Sequence, residues 1–217
     1  MIPWQTLGRA RAPDGGELVL YQRGGEFVIR VDGRELMSSR AHGSEEEMAR
    51  RACGAAMKDV LIGGLGLGYT VRAALDSLRG DARVVVVEIV LAVVEWNRGP
   101  LAHLAGRPLD DPRVSVEIGD VGRVLRAGHR WDAILLDVDN GPVALTRKGN
   151  HALYGPTGLA TAKSALRRGG VLAVWSAHRD DGFVSRLRKA GFSAEAVDVP
   201  ARGVAGGPMH TIFLARL

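Results

Sequence analysis

The sequence predicts an α/β fold: a mostly parallel seven-stranded sheet with an antiparallel C-terminal strand pair, preceded by a small N-terminal β-hairpin. Three observations carry this. From residue 58 onward, apolar β-branched runs such as Val84 to Val87 alternate with helical stretches, the pattern of strands buried on both faces beneath helices. The last two strand-like segments, FSAEAVDV and HTIFLARL, are separated only by PARGVAGGPM; this link is aperiodic and too short for a crossover helix, so they pair antiparallel. Near the start, ELVLYQRGGEFVIRVDG sets two alternating runs on either side of Gly24-Gly25, a hairpin signal.

The elements follow in order. Residues 1–43 are read as the hairpin segment, with strands LVLYQ and EFVIRV, and residues 44–217 as the main domain. Ser44, with Glu47 three positions on, reads as a capping box opening a helix through EEEMARRACGAAM. KDVLIGG is a strand ending in glycines, YTVRAALDSLRG a helix stopped at Gly80, and ARVVVVEIV the next strand. Then come a helix around LAVVEWNRGPLAHL, a strand RVSVEIGD, a helix VGRVLRAG and a strand WDAILLDVD. After a loop, helix GLATAKSALRRGG, strand VLAVWSA and helix DGFVSRLRKAGF lead to the terminal pair. This is the layout of class I methyltransferase-like (Rossmann-like) folds, and its antiparallel edge sets it apart from NAD-binding Rossmann proteins.

Composition narrows the function classes. At 217 residues the chain buries a sizeable core, and its 46% hydrophobic content is too high for disorder. The apolar stretch from Val84 to Val94 is broken by Glu88 and falls far short of the ~20 residues a membrane-spanning helix needs. The N-terminal MIPWQTLGRARAPDGGE has no apolar core of a secretory signal, so a soluble, cytoplasmic protein is expected, with no membrane partner. The net charge of +5 comes from arginines scattered through RARAPD, MARRAC, ALRRGG and SRLRKAGF, and aromatics make up 5%. Nucleic-acid binding wants a clustered patch with interleaved aromatics, so it is not favoured. The one cysteine, Cys53, excludes an internal disulfide framework and a multi-cysteine zinc site; it reads as a small core residue. His42 and His210 have no ligand-like neighbours in the sequence, so no metal is inferred.

One constellation carries chemistry. Gly63, Gly64, Gly66 and Gly68 follow a buried strand and open a helix, where glycines allow a tight turn and let the backbone approach a ligand beside a helix N-terminus. A G-x-G-x-G turn alone fits dinucleotides as well as adenosyl groups, but a dinucleotide fingerprint reads G-x-G-x-x-G. Glu88 ends the next strand, 20 positions after Gly68, where a carboxylate can accept both ribose hydroxyls. Asp120 closes IGD, placed to meet an adenine amino group, and Asp137 ends the strand in LLDVDNGP. Each acid alone also reads as a helix N-cap or turn residue. Three at successive strand ends beside the glycine turn point to an adenosyl-binding site.

Together these residues resemble the spermidine synthase (polyamine aminopropyltransferase) family, a branch of the S-adenosylmethionine-binding superfamily. VDGRELMSSR, VLIGG, VVEI, DPRVSVEIGD, WDAILLDVDNGP and ALRRGGVLAV spread the similarity over nearly the whole chain. The resemblance implies that Glu88 holds the ribose, Asp120 the adenine, and that Asp137 starts a gate loop beside the transferred group. It also implies a homodimer. The departures bear on which reaction runs. Gly66 stands where aminopropyltransferases carry an Asp that meets the amine of decarboxylated S-adenosylmethionine. Val138, Asp139 and Asn140 follow Asp137 where the gate loop usually supplies a second Asp, and Glu45, beside Glu46, stands where an aromatic residue lines the polyamine channel.

A carboxylate ~4 Å from a like charge costs on the order of 4 kcal/mol at an effective dielectric near 20. Gly66 therefore shifts the expected donor to intact S-adenosyl-L-methionine and the expected reaction to methyl transfer onto a small cationic amine. Aminopropyl transfer and a non-catalytic adenosyl-binding regulatory subunit are the alternatives. Asp137 is the candidate to hold or deprotonate the amine, with Asp139 and Asn140 orienting it. Glu46, Tyr154 and Trp175 are the candidate acceptor-binding residues; a loop anchor explains Tyr154 equally well, and a solvated helical turn and core packing are the favoured readings of Glu46 and Trp175.

Overall fold

The computed structural model of the chain describes residues 2–12, 15–138 and 150–217, with the side chains of 150 and 151 left aside. The N-terminal unit is a four-stranded antiparallel sheet in the order β1-β2-β3-β4. It comprises β1 (Gln5–Arg11), β2 (Glu17–Arg23), β3 (Glu26–Val31) and β4 (Arg34–Ser38). The expected hairpin is its central pair, closed where Arg23 faces Glu26. The flanking strands escape a reading by pattern because β1, QTLGRAR, is largely exposed and β4 has only five residues; neither buries enough apolar side chains to show a period.

Seven further strands build the main sheet: β5 (Asp59–Gly63), β6 (Arg83–Glu88), β7 (Val114–Ile118), β8 (Trp131–Leu136), β9 (Leu166–Ser176), β10 (Ser193–Pro200) and β11 (Met209–Arg216). Their order is β10-β11-β9-β8-β5-β6-β7. The five from β9 across to β7 run parallel, and β11 lies antiparallel to both β9 and β10, as the sequence predicts. Strand order reverses at β5: β6 follows it on one side and β8 packs on the other. Open α/β sheets place ligands outside the carboxyl ends of the strands at such a switch point.

Both faces of the sheet are covered. Val84 and Val86 of β6 point to one core and Val85 and Val87 to the other, so an unbroken valine run is what the position requires. On the first face lie α1 (Gly43–Ala52), α2 (Tyr69–Ser77), α3 (Leu91–Arg98) and the inner side of the N-terminal sheet, through Leu18, Leu20, Phe27 and Ile29. On the second lie α4 (Val121–Arg126), α5 (Asn150–Tyr154), α6 (Pro156–Ala165) and α7 (Asp181–Lys189). Among the described residues no helix is long and apolar enough to cross a membrane.

Several element limits differ from those read in the sequence. α1 stops at Ala52, with Cys53 extended at its C-cap and buried. α3 stops at Arg98, because Gly99-Pro100 follows and a proline disfavours helical backbone in the residue before it. β9 begins early, at Leu166, which pairs with Trp131 ahead of an irregularity in the ladder. Ser44 does not cap α1. The N-cap is His42, with no side-chain cap, and Ser44 sits inside the first turn, where its Oγ accepts from Trp175 Nε1 at 2.9 Å and bonds His210 Nδ1 at 2.9 Å.

The amino ends of the strands are tied by charge. Asp132 Oδ2 accepts the backbone N–H groups of Lys58 (2.8 Å) and Asp59 (2.9 Å) and Arg167 Nη1 (2.9 Å). Asp59 in turn receives Arg167 and Arg83 at 2.6 and 2.9 Å. Burial alone pushes the Asp132 carboxyl up, but the backbone donors and Arg167 outweigh it and hold the group below the usual carboxylate range. A carboxyl lowered on folding stabilises the native state above its unfolded pKa and loses that contribution in acid. Asp132→Ala is expected to cost about 1–3 kcal/mol at neutral pH by leaving partly buried donors unpaired. In urea denaturation the difference from the wild type shrinks as pH falls below about 4.

Candidate functional site

The carboxyl edge of β8, β5, β6 and β7 is where the chemistry-bearing residues gather. β5 ends at Gly63 and the chain turns through Gly64, Leu65, Gly66 and Leu67 to Gly68, the N-cap of α2. The turn is fixed by backbone bonds from Gly64 N–H to Val87 O and from Gly68 N–H to Leu65 O, and by Asn97 Nδ2 donating to Gly66 O at 2.8 Å. Gly64 is irreplaceable on steric grounds. Its φ is +89°, and a Cβ there falls 2.1 Å from the carbonyl oxygen of Asp137. Gly66 is also left-handed, at φ +54°, but the nearest atom to a Cβ is Met37 Sδ at 3.6 Å, so the space before it is open.

Glu88, the last residue of β6, is buried, and its two carboxylate oxygens accept the backbone N–H groups of Leu65 (3.0 Å) and Val90 (2.8 Å). These bonds fix its orientation against the glycine turn, and a carboxylate has about four acceptor positions in all. Asp120 lies two residues past β7 and caps α4: Oδ1 accepts from Gly122 N–H at 2.6 Å and Arg123 N–H at 3.3 Å. The N-cap role therefore holds for Asp120, at a place that still borders the edge beside Glu88, since Gly119 N–H donates to Glu88 O.

Asp137 is the residue just past β8. Its N–H donates to Gly63 O at 2.8 Å, continuing the β5–β8 ladder, and Thr70 Oγ1 donates to its Oδ2 at 2.7 Å. Burial, and then the nearby charge of Glu88, raise its carboxyl to about 6, against the lowering effect of the Thr70 bond. Glu45, in the first turn of α1, faces the same space. Burial, and then the charge on Asp137, push its carboxyl well above the ordinary value. Tyr69 borders the pair, its phenol raised to about 12 by burial and then by Glu45 and Glu46, and its ring stacks on His42 with centroids 4.0 Å apart.

The remaining candidates are placed differently. Glu46 has both oxygens engaged, Oε1 with His42 Nδ1 at 2.8 Å and Oε2 with Arg50 at 2.6 Å. Tyr154 is 3% exposed and packs edge-on against Phe183 in the second core, away from the glycine turn. Trp175, at the end of β9, lies in the first core and anchors α1 through Ser44. Asp139 and Asn140 lie outside the described residues. Sequence reasoning passed over Thr70 and Asn97, and it set Glu45 behind Glu46. Thr70 had a signal, because it stands two residues after Gly68 in the first turn of the helix that the glycine loop opens.

Sheet order and strand edge together define a class I methyltransferase-like fold. The chain is 28% identical over 200 residues to the polyamine aminopropyltransferases of Mycobacterium tuberculosis and Mycobacterium bovis, matching 86% of its own length. It spans only 37% of the length of those curated relatives. Spermidine synthase from Thermotoga maritima superposes with a TM-score of 0.75 at 21% identity, covering 98% of this chain and 72% of that one. A spermidine synthase solved with the transition-state analogue AdoDATO gives 0.75 at 19% identity over the same shares, 98% and 72%. A probable spermidine synthase from Corynebacterium glutamicum gives 0.67 at 16% identity, covering 96% and 79%. No family model matches the chain. The chain is thus similar in sequence to polyamine aminopropyltransferases and in fold to spermidine synthases.

The two glycines make opposite predictions. Gly64→Ala is expected to disrupt the turn and Asp137 together, costing more than about 3 kcal/mol in chemical denaturation. Gly66→Ala is expected to cost only the left-handed backbone penalty of about 1–2 kcal/mol.

Proposed function

We propose that this protein transfers an aminopropyl group from decarboxylated S-adenosylmethionine to the amine of a polyamine-type acceptor. The observation that carries the reading is Asp137, a carboxyl raised to about 6 and held by Thr70 at the edge of the glycine turn. The similarity to polyamine aminopropyltransferases supports it. In this reading the turn of Gly63, Gly64, Gly66 and Gly68 admits the donor, Glu88 receives its ribose hydroxyls and Asp120 borders its adenine. Asp137 accepts the proton of the attacking amine, with Asp139 and Asn140 orienting that amine and a homodimer as the assembled form.

The reaction is an in-line displacement on a sulfonium. The amine nitrogen forms a bond to the propyl carbon, the carbon–sulfur bond breaks, and its electron pair stays on sulfur to give methylthioadenosine. The amine's proton passes to Asp137. Sulfonium donors carry their own leaving group, so the protein contributes position and a base.

Methyl transfer, the reaction expected from Gly66 alone, finds no support in the relatives. The site's charges also argue against it. The carboxylate of intact S-adenosyl-L-methionine would meet the acids Asp137 and Glu45 there, whereas the decarboxylated donor brings no carboxylate. The ~4 kcal/mol repulsion between like charges ~4 Å apart then disfavours the intact donor, which offsets what Gly66 concedes to it.

Incubation with either donor and a panel of di- and polyamines, read by mass spectrometry, tests the proposal. An aminopropylated amine with methylthioadenosine is the expected product. A methylated amine overturns it, and donor binding without any product indicates the regulatory-subunit alternative.

Asp137 must be ionised to take a proton, so kcat/KM is expected to rise with pH through about 6. Asp137→Asn is expected to lower turnover by about 10²–10⁴-fold. Thr70→Val removes a bond that favours the ionised carboxylate, so its pH–rate profile is expected to rise at higher pH than the wild type's.

A further inference from the structure

We infer that Glu45 and Asp137 form a two-carboxylate clamp for an alkylammonium group. The inference deepens the aminopropyl-transfer reading and rests on it for the source of the amine.

The N-terminal half of α1 presents three consecutive glutamates whose surroundings differ. Glu46 is bonded to His42 and Arg50, and Glu47 Oε1 accepts from Arg51 at 2.7 Å. Both are ordinary helix-surface ion pairs. Glu45 is unlike them. Its Oε2 is out of contact with solvent and bonded to no group among the described residues. Around it stand Asp137 from the end of β8, and Glu46 and Ser44 from its own helix. Tyr69 from the start of α2 also borders it. Two acids from different elements thus stand close beside a tyrosine, with Thr70 bonded to Asp137 Oδ2.

A buried carboxylate oxygen without a donor is costly in a free protein. A ligand that brings N–H donors and positive charge relieves that cost for both acids at once, through charge-assisted hydrogen bonds. A neutral or anionic ligand does not. An alkylammonium enters the proposed reaction from two sources, the acceptor amine and the aminopropyl end of the donor, and the clamp's chemistry is the same for either.

Calorimetric titration of the full chain with putrescine, decarboxylated S-adenosylmethionine and intact S-adenosylmethionine separates them. The comparison is made on the wild type, Glu45→Gln and Glu46→Gln. Glu45→Gln is expected to weaken putrescine, the decarboxylated donor or both by on the order of tenfold or more, while Glu46→Gln changes each by less than about threefold. Loss confined to putrescine assigns the clamp to the acceptor; loss confined to the decarboxylated donor assigns it to the aminopropyl end.

Full affinity of Glu45→Gln for both overturns the inference. So does an equal loss in Glu46→Gln, or a wild type that binds neither. Melting confirms that Glu45→Gln is folded; if it is not, Glu45→Asp keeps the charge, withdraws it by one methylene and is expected to weaken the same ligand. Amine binding that depends on Glu45 without aminopropyl product removes the reaction and leaves the clamp. Product formation indifferent to Glu45 removes the clamp and leaves the reaction.

Discussion

The contact between Gly64 and the backbone of Asp137 is the constraint on which the site depends. Strand β8 continues one residue past its last sheet position by bonding Asp137 N–H to Gly63 O, which brings the Asp137 carbonyl against the glycine turn. Only a residue without a Cβ, in left-handed backbone, tolerates that approach. Because the two segments touch, the Asp137 carboxyl falls within reach of Thr70 in the first turn of α2 and within the field of Glu88. Sheet register, turn geometry and acidity are therefore one arrangement.

The electrostatics of the molecule divide along the sheet. At the amino ends of the strands, Asp59 and Asp132 are matched by Arg83 and Arg167, and both carboxyls are held below their ordinary range. At the carboxyl ends, Asp137 and Glu45 are raised. Matched charge stabilises a fold, while acids pushed upward by burial and by one another weaken it as pH rises through their titration. Groups of the second kind mark functional sites more often than structural ones. The overall charge of +5 conceals this contrast, because it sums over a surface coated with arginine.

Much of the fold was legible because burial on two faces leaves a plain trace: the valine run of β6 and the apolar stretch of β8 can hardly be anything else. The terminal antiparallel pair was legible from the shortness of its link. What the sequence hid was set by contacts distant along the chain. Ser44 has the spacing of a capping box, yet Trp175 and His210 engage its hydroxyl instead. Glu45 and Glu46 are adjacent and chemically identical, and only the packing of α1 against α2 and the sheet decides which is drawn inside. Tyr154 follows the loop after Asp137 in sequence, but α5 turns it into the opposite core. β1 and β4 lacked any periodic signature of their own.

The bridge of Trp175, Ser44 and His210 has a mechanical meaning. It fastens β9, α1 and β11 at one point, and the neighbour of Ser44 along the helix is Glu45. The antiparallel margin, remote from the glycine bend in strand order, thus serves as a foundation for that side chain. Remodelling of the last two strands would be transmitted to the placement of an anion several strands away, so this antiparallel edge of the sheet is also a strut for an acidic side chain.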